Sequence, residues 1–201
     1  MLLRPERYAA EESVSISSLA TSQPLDVLKQ HDFRCGLCKF RARPAKSVPT
    51  GFMEVLELNG SKGCYCTLCA QSILLRRVPD GKKNHGHIFY CPTLSQGQVN
   101  DLCRYIGLHI IRKTQLEDSA RNFARSIKDD LVPLVEKVVP GFSSGDPFAF
   151  ADLMDNLRSP RPNTGLEHLR YWPNPAVFNY VFKFWDAASF SKSNLGLVSS
   201  S

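Results

Sequence analysis

Val99, Leu102, Cys103, Ile106 and Ile110 recur at the three- and four-residue steps that line one face of an α-helix. Ser95 and Gln98, just ahead of them, fit a capping box, in which the serine oxygen accepts from the third helical amide and the glutamine reaches back. The same period continues through "LEDSARNFARSI" with Ala120, Phe123, Ala124 and Ile127. "DDLVPLVEKVVPGF" is a further helical candidate, in which Pro133 fits only a first turn. Asp146-Pro147 supplies an N-cap and a first-position proline for "FAFADLMDNL", and Asn174-Pro175 does so for "AVFNYVFKFWDAA". That last helix carries Phe178, Tyr180, Phe182, Phe184 and Trp185 on nearly every side. A helix apolar all round is buried in its own fold or covered by another chain, and the sequence leaves both readings open.

The periodicity upstream is shorter and mixed. "PLDVLKQH" predicts a short helix with Leu25, Val27 and Leu28 inward. "DFRCGLCKFRAR" then places Gly36 inside a Cys-x-x-Cys turn. "FMEVLELNG" reads as an imperfect strand, with Phe52, Leu56 and Leu58 sharing a face with Glu54 and with Met53, Val55 and Glu57 on the other, and ends at the hairpin signal Asn59-Gly60. "CAQSILLRRV" predicts a helix stopped by Pro79-Asp80-Gly81, and "GHIFYCP" a strand. The organisation expected is a flexible tail over 1–24, a cysteine-bearing module over 25–92, a mostly α-helical region over 93–190 packed on it, and a second flexible tail over 191–201. The fold class is α+β.

Two Cys-x-x-Cys pairs, Cys35/Cys38 and Cys66/Cys69, stand on either side of the expected hairpin. One turn of that spacing aims two thiolates at a single ion. The order is knuckle, hairpin, then a helix carrying the second pair in its first turn, which is that of a treble-clef zinc module. Four soft thiolates favour one closed, tetrahedral, structural Zn²⁺. Cys64 crowds the second pair and could ligate in place of Cys66, with a less regular turn. His85 and His87 form an HxH at a strand entry, a weaker candidate for a metal site. Cys91 and Cys103 read as small buried hydrophobes.

Composition changes this picture in two respects. Seven cysteines in 201 residues, an odd number in a chain with no apolar leader segment at its start, point to metal-binding thiols rather than a disulfide framework. The net charge of +6 is concentrated: residues 29–83 hold 11 Lys/Arg against four Asp/Glu, a local charge of +7. Such a field can attract nucleic acid or an acidic protein segment, or simply solvate the surface. No apolar run approaches the ~20 residues of a membrane-spanning helix.

Catalytic templates are missing. The HNH nucleases build on the same hairpin-and-helix module and need a general-base histidine and a second metal-ligating side chain. Here no histidine occurs between Lys39 and Asn84, and Ala70 and Gln71 follow the last cysteine. There is also no Gly-rich phosphate loop, GxSxG or HExxH. The expectation is a protein that is not an enzyme.

The ordered set "RCGLCKFRARP", "CTLCAQ", "GHIFYCPTLSQGQVNDLCRYI", "DPFAFADLMDNL" and "KFWDAAS" resembles the DotN/IcmJ family of the type IVB (Dot/Icm) secretion system, from about Asp32 to Ser189. The resemblance implies an HNH-like zinc fold without nuclease residues, with Cys35, Cys38, Cys66 and Cys69 as zinc ligands. It further implies an adaptor on the C-terminal extension of a DotL-like coupling-protein ATPase. DotM-like subunits and IcmS/IcmW-like chaperones would be met indirectly, in the cytoplasm and peripheral to the inner membrane. This chain departs from HNH-type sequences in lacking an Asn-rich run before the second cysteine pair. The competing reading is a nucleic-acid-binding zinc module.

Overall fold

The computed structural model describes residues 22–77, 85–156 and 165–189. Helix α1 (Ser22–Gln30) buries Leu28 and begins within the stretch expected as tail. The rest of that tail, the Pro79-Asp80-Gly81 stop and the C-terminal tail lie outside the described residues. Strands β1 (Met53–Leu58) and β2 (Ser61–Cys66) pair antiparallel from Met53↔Cys66 to Leu58↔Ser61. Asn59 and Gly60 join them with φ of 54° and 76°. Positive φ at both turn residues is the hairpin geometry that Asn-Gly favours, because its twist matches that of the strands. The hairpin is therefore regular despite the departure between the cysteine pairs. The buried residues of β1 are Met53 and Leu56, one from each of the two mixed faces expected of it.

β2 runs without a loop into α2 (Thr67–Ile73), and α1 packs against both strands. The start of α2 is pinned by Thr67, whose backbone N–H and Oγ1 both donate to the Phe52 carbonyl, at 3.2 and 2.9 Å.

A second sheet joins distant parts of the chain. β3 (Gly86–Tyr90) pairs antiparallel with β4 (Leu169–Pro173), from Gly86↔Pro173 to Tyr90↔Leu169. β4 was not foreseen in a region expected to be mostly helical. All five of its residues are buried, so "LRYWP" has no inside–outside alternation to read.

The helices follow their caps where the caps are real. α3 (Gln96–Arg112) opens on the expected capping box, with Ser95 Oγ accepting from the Gln98 amide and Gln98 Oε1 accepting from the Ser95 amide. α4 (Glu117–Ser126) runs into one π-helical turn, Ile127–Leu131. The helix expected around Pro133 does not form as one piece. The chain turns at Val132–Leu134 and only α5 (Val135–Val138) follows, because proline offers no N–H to the preceding turn. α6 (Pro147–Asn156) starts where Asp146 Oδ1 accepts from the Ala149 amide at 2.8 Å. Asn174 accepts instead from the Ala176 amide within a turn, which delays α7 to Asn179–Ser189.

One apolar cluster combines Leu28, Phe40, Met53 and Leu68 with Val99, Cys103 and Ile106 of α3 and Val181, Phe182 and Trp185 of α7. A second holds Leu75, Ile88, Val135, Phe142, Phe150, Leu169 and Tyr171. Most of the α7 aromatics are thus core. Trp185 packs on Phe40 with ring centroids 4.7 Å apart and donates from Nε1 to the Gly51 carbonyl at 2.8 Å. Tyr180, 68% exposed, is the outward exception.

Gly107 of α3 lies against the fully buried Phe182, and a Cβ there would fall inside the ring's van der Waals envelope. Helix propensity alone would favour alanine by about 1 kcal/mol. Overlap with a ring that cannot move should outweigh it, so Gly107→Ala is expected to destabilise by about 1–2 kcal/mol. Thermal denaturation checks this: an equal or higher midpoint would show that α3 and α7 are less tightly packed.

Candidate metal centre

The first cysteine pair is held by a tight knuckle. Arg34 and Arg41 form an isolated antiparallel bridge. Inside it the Cys35 N–H donates to the Phe40 carbonyl at 2.8 Å and the Lys39 N–H to the Cys35 carbonyl at 3.0 Å. Lys39 takes φ of 65° to close the turn, and its Nζ donates to the Gly36 carbonyl at 2.6 Å. The Gly36 N–H donates to the Cys64 carbonyl at 2.8 Å, which seats the knuckle against the end of β2. Cys66 is the last residue of β2 and Cys69 lies in the first turn of α2.

These elements bring the sulfurs of Cys35, Cys38, Cys66 and Cys69 within 4.8 Å of one another. The Cys38 and Cys66 sulfurs are 3.7 Å apart, and all seven cysteines are free of disulfides among the described residues. Around a tetrahedral ion with metal–sulfur bonds of about 2.3 Å, sulfurs stand about 3.8 Å apart. The donor set fits such an ion in number, chemistry and spacing. Cys35, Cys66 and Cys69 are buried and Cys38 half-buried, so the set is closed to bulk water on most sides.

Electrostatics favour a cation here. The thiols of Cys38, Cys66 and Cys69 hydrogen-bond to Cys35 and hold it far below the ordinary thiol range. Cys66 is pushed well up by burial and Cys69 chiefly by its bond to Cys35. Cys35 and Cys38 are thus held low, while Cys66 and Cys69 resist ionisation. A divalent cation reverses that balance and lets all four ionise.

Two α3 side chains complete the surroundings. Arg104 lies over the Phe40 ring at 4.1 Å from its centroid and pairs with Asp101. Burial lowers its pKa, while the charges of the cysteine set pull the other way. Asn100 Nδ2 donates to the Cys69 sulfur at 3.1 Å. The sequence reading missed Asn100. The available signal was a pair of amides, Gln96 and Asn100, one turn apart on the face that continues to Cys103 and Gly107.

The remaining candidates stand apart from the four sulfurs. Cys64 is buried on β2, faces Val55, and its thiol is pushed up to about 12 by burial. His85 uses its carbonyl to accept from the Asn174 N–H and the Tyr171 hydroxyl. Burial, and then the charge of Lys128, lower the pKa of His87. Neither histidine joins a metal-competent group of side chains among the described residues. Cys103 is buried and donates from its sulfur to the Pro173 carbonyl at 3.2 Å. Cys91 is buried beside Thr93. Ala70, directly after the last cysteine, is fully buried.

No protein-family model matches the chain. The type 4 apparatus protein DotN of Legionella pneumophila is 26% identical to it over 200 residues, spanning 94% of this chain and 89% of DotN. The similarity to DotN supports the resemblance to the DotN/IcmJ family. The similarity to DotN takes in both cysteine pairs and the helical region together, as one end-to-end match. The chain offers one place, among the described residues, where three or more His, Cys, Asp or Glu side chains come close enough to hold a metal.

Metal analysis of single variants tests the four-sulfur set. Cys35→Ser and Cys69→Ser are each expected to lose stoichiometric metal, and Cys64→Ser to keep it. Metal retained in the first two, or lost in the third, would move the ligand assignment.

Proposed function

We propose that Cys35, Cys38, Cys66 and Cys69 hold one structural Zn²⁺ in a treble-clef module of HNH-like shape, and that the chain is a non-enzymatic adaptor of a type IVB secretion coupling complex. On this reading it binds the C-terminal extension of a DotL-like coupling-protein ATPase and helps gather effector substrates, with DotM-like and IcmS/IcmW-like subunits as indirect partners. The observation that carries it is the end-to-end similarity to a type 4 apparatus protein, joined to a cysteine set that closes around one ion. A four-thiolate ion has no open position for water or substrate, which suits structure rather than hydrolysis. Ala70, buried where a nuclease helix would present a histidine, adds to that view.

No helix of the described residues is long and apolar enough to cross a membrane. The adaptor would lie in the cytoplasm and reach the inner membrane through its partners.

A second reading rests on charge. Arg34, Lys39, Arg41, Arg43 and Lys46 surround the knuckle and are exposed, within the stretch of local charge +7. That field suits either an acidic protein segment or a nucleic-acid backbone. Mixing the purified chain with the coupling protein's C-terminal extension and, separately, with duplex DNA separates the two. Saturable binding of the extension, and only weak DNA binding that vanishes with added salt, is expected. Tight DNA binding with no affinity for the extension would overturn the adaptor reading.

A further inference from the structure

Strand β4 leaves the amide and carbonyl of Tyr171 turned away from β3, and both are taken by one side chain. Gln96 Oε1 accepts from the Tyr171 N–H at 2.9 Å, and Gln96 Nε2 donates to the Tyr171 carbonyl at 2.7 Å. A backbone N–H can only donate, so this pair fixes which end of the Gln96 amide faces the strand. Its NH₂ then also donates to Asn100 Oδ1 at 2.9 Å, which fixes the second amide in turn. Asn100 must therefore point its NH₂ the other way, where the Ser72 Oγ lies at 3.0 Å and the Cys69 sulfur at 3.1 Å. Ser72 Oγ itself donates to the Cys69 carbonyl at 2.9 Å. Gln96, Asn100 and Ser72 are all buried, and no buried side-chain polar atom among the described residues lacks a partner.

Backbone approach supports the same contact. Gly97, one residue beyond Gln96, packs so close that a Cβ there would sit 2.7 Å from the Leu37 carbonyl of the knuckle. Only glycine lets α3 come this near to the Cys35–Cys38 turn. Arg104, two turns along, brings a half-buried guanidinium to the same side of the helix as the thiol cluster.

We propose that α3 is an integral wall of the metal centre, with Asn100 as the positioning residue that holds the Cys69 thiolate and, through Gln96, locks the centre to strand β4. Resting on the four-cysteine reading above, this makes metal binding and closure of the helical region over the cysteine module a single event. An N–H···S bond from a neutral amide stabilises the thiolate that a metal requires and disfavours its protonation. The amide that supplies it is oriented by a strand about 100 residues further along the chain than Cys69, from β4 at Leu169–Pro173.

The test uses the full chain loaded with cadmium or cobalt. In wild-type protein, four-thiolate cobalt charge-transfer bands establish the site; their absence would remove both the four-cysteine reading and this proposal. With the site established, Asn100→Ala is expected to weaken metal affinity about ten- to a hundredfold in chelator competition. Ser72→Ala removes the other acceptor of the same NH₂ and should stay within about threefold of wild type. The wild-type chain loaded with the NMR-active isotope of cadmium should show a through-hydrogen-bond coupling between the metal and an Asn100 side-chain amide proton. That readout needs no variant, so it decides the matter if Asn100→Ala does not fold. Unchanged affinity in Asn100→Ala, or no such coupling, would overturn the proposal while leaving the four-cysteine site intact.

Discussion

Four thiols from two distant segments meet in one small volume, and they can be buried together as thiolates only around a cation. Like charges this close oppose one another, and removal from water raises the cost of each ionisation. A structural zinc ion would offset this: its apparent binding free energy is about 10–16 kcal/mol in small zinc modules. That is comparable with the whole net stability of a typical domain, about 5–15 kcal/mol. On the proposed reading, whatever else packs here does so on a scaffold that the ion would determine.

The rest of the core is arranged around that scaffold. Trp185 reaches from α7 to Phe40 and to the Gly51 carbonyl, which flank the knuckle and the first strand. α3 lies against Leu37 through Gly97 and against α7 through Gly107. Helices distant in sequence therefore use the cysteine-bearing module as their packing surface. The second sheet has both edges occupied: Gln96 covers Tyr171 on β4, and the Ile88 N–H donates to the Gly145 carbonyl on β3. A two-stranded sheet would be marginal alone, and here side chain and loop stand in for its missing neighbours.

Much of this was legible from residues with a local rule. The two Cys-x-x-Cys pairs, the Asn59-Gly60 turn, the Ser95/Gln98 box and the Asp146 cap each act within a few residues, and each appears where its spacing placed it. Long-range partners were not legible. β4 is too short and too uniformly buried to show a period, and its pairing with β3 spans more than half the described chain. Asn100 looks like an ordinary polar interruption of a helix until Cys69 and Ser72 are placed beside it. Asn174 misled because the same side chain that caps helices also closes turns. The aromatic α7 was ambiguous for a related reason: Phe182 and Trp185 turn inward, Tyr180 outward, and periodicity alone cannot tell a core from a covered surface.

The central claim is that an ion held by four sulfurs organises the fold, and removing the ion tests it most directly. Trp172 and Trp185 are both buried and report on β4 and on the α7–knuckle contact respectively. Thermal unfolding should be followed by tryptophan fluorescence and far-ultraviolet circular dichroism, with and without a strong chelator at neutral pH. The account predicts a red-shifted emission for the chelated protein and a melting midpoint lowered by at least about 10 °C, or no cooperative transition at all. Unchanged spectra and an unchanged midpoint in protein verified to be metal-free would contradict it.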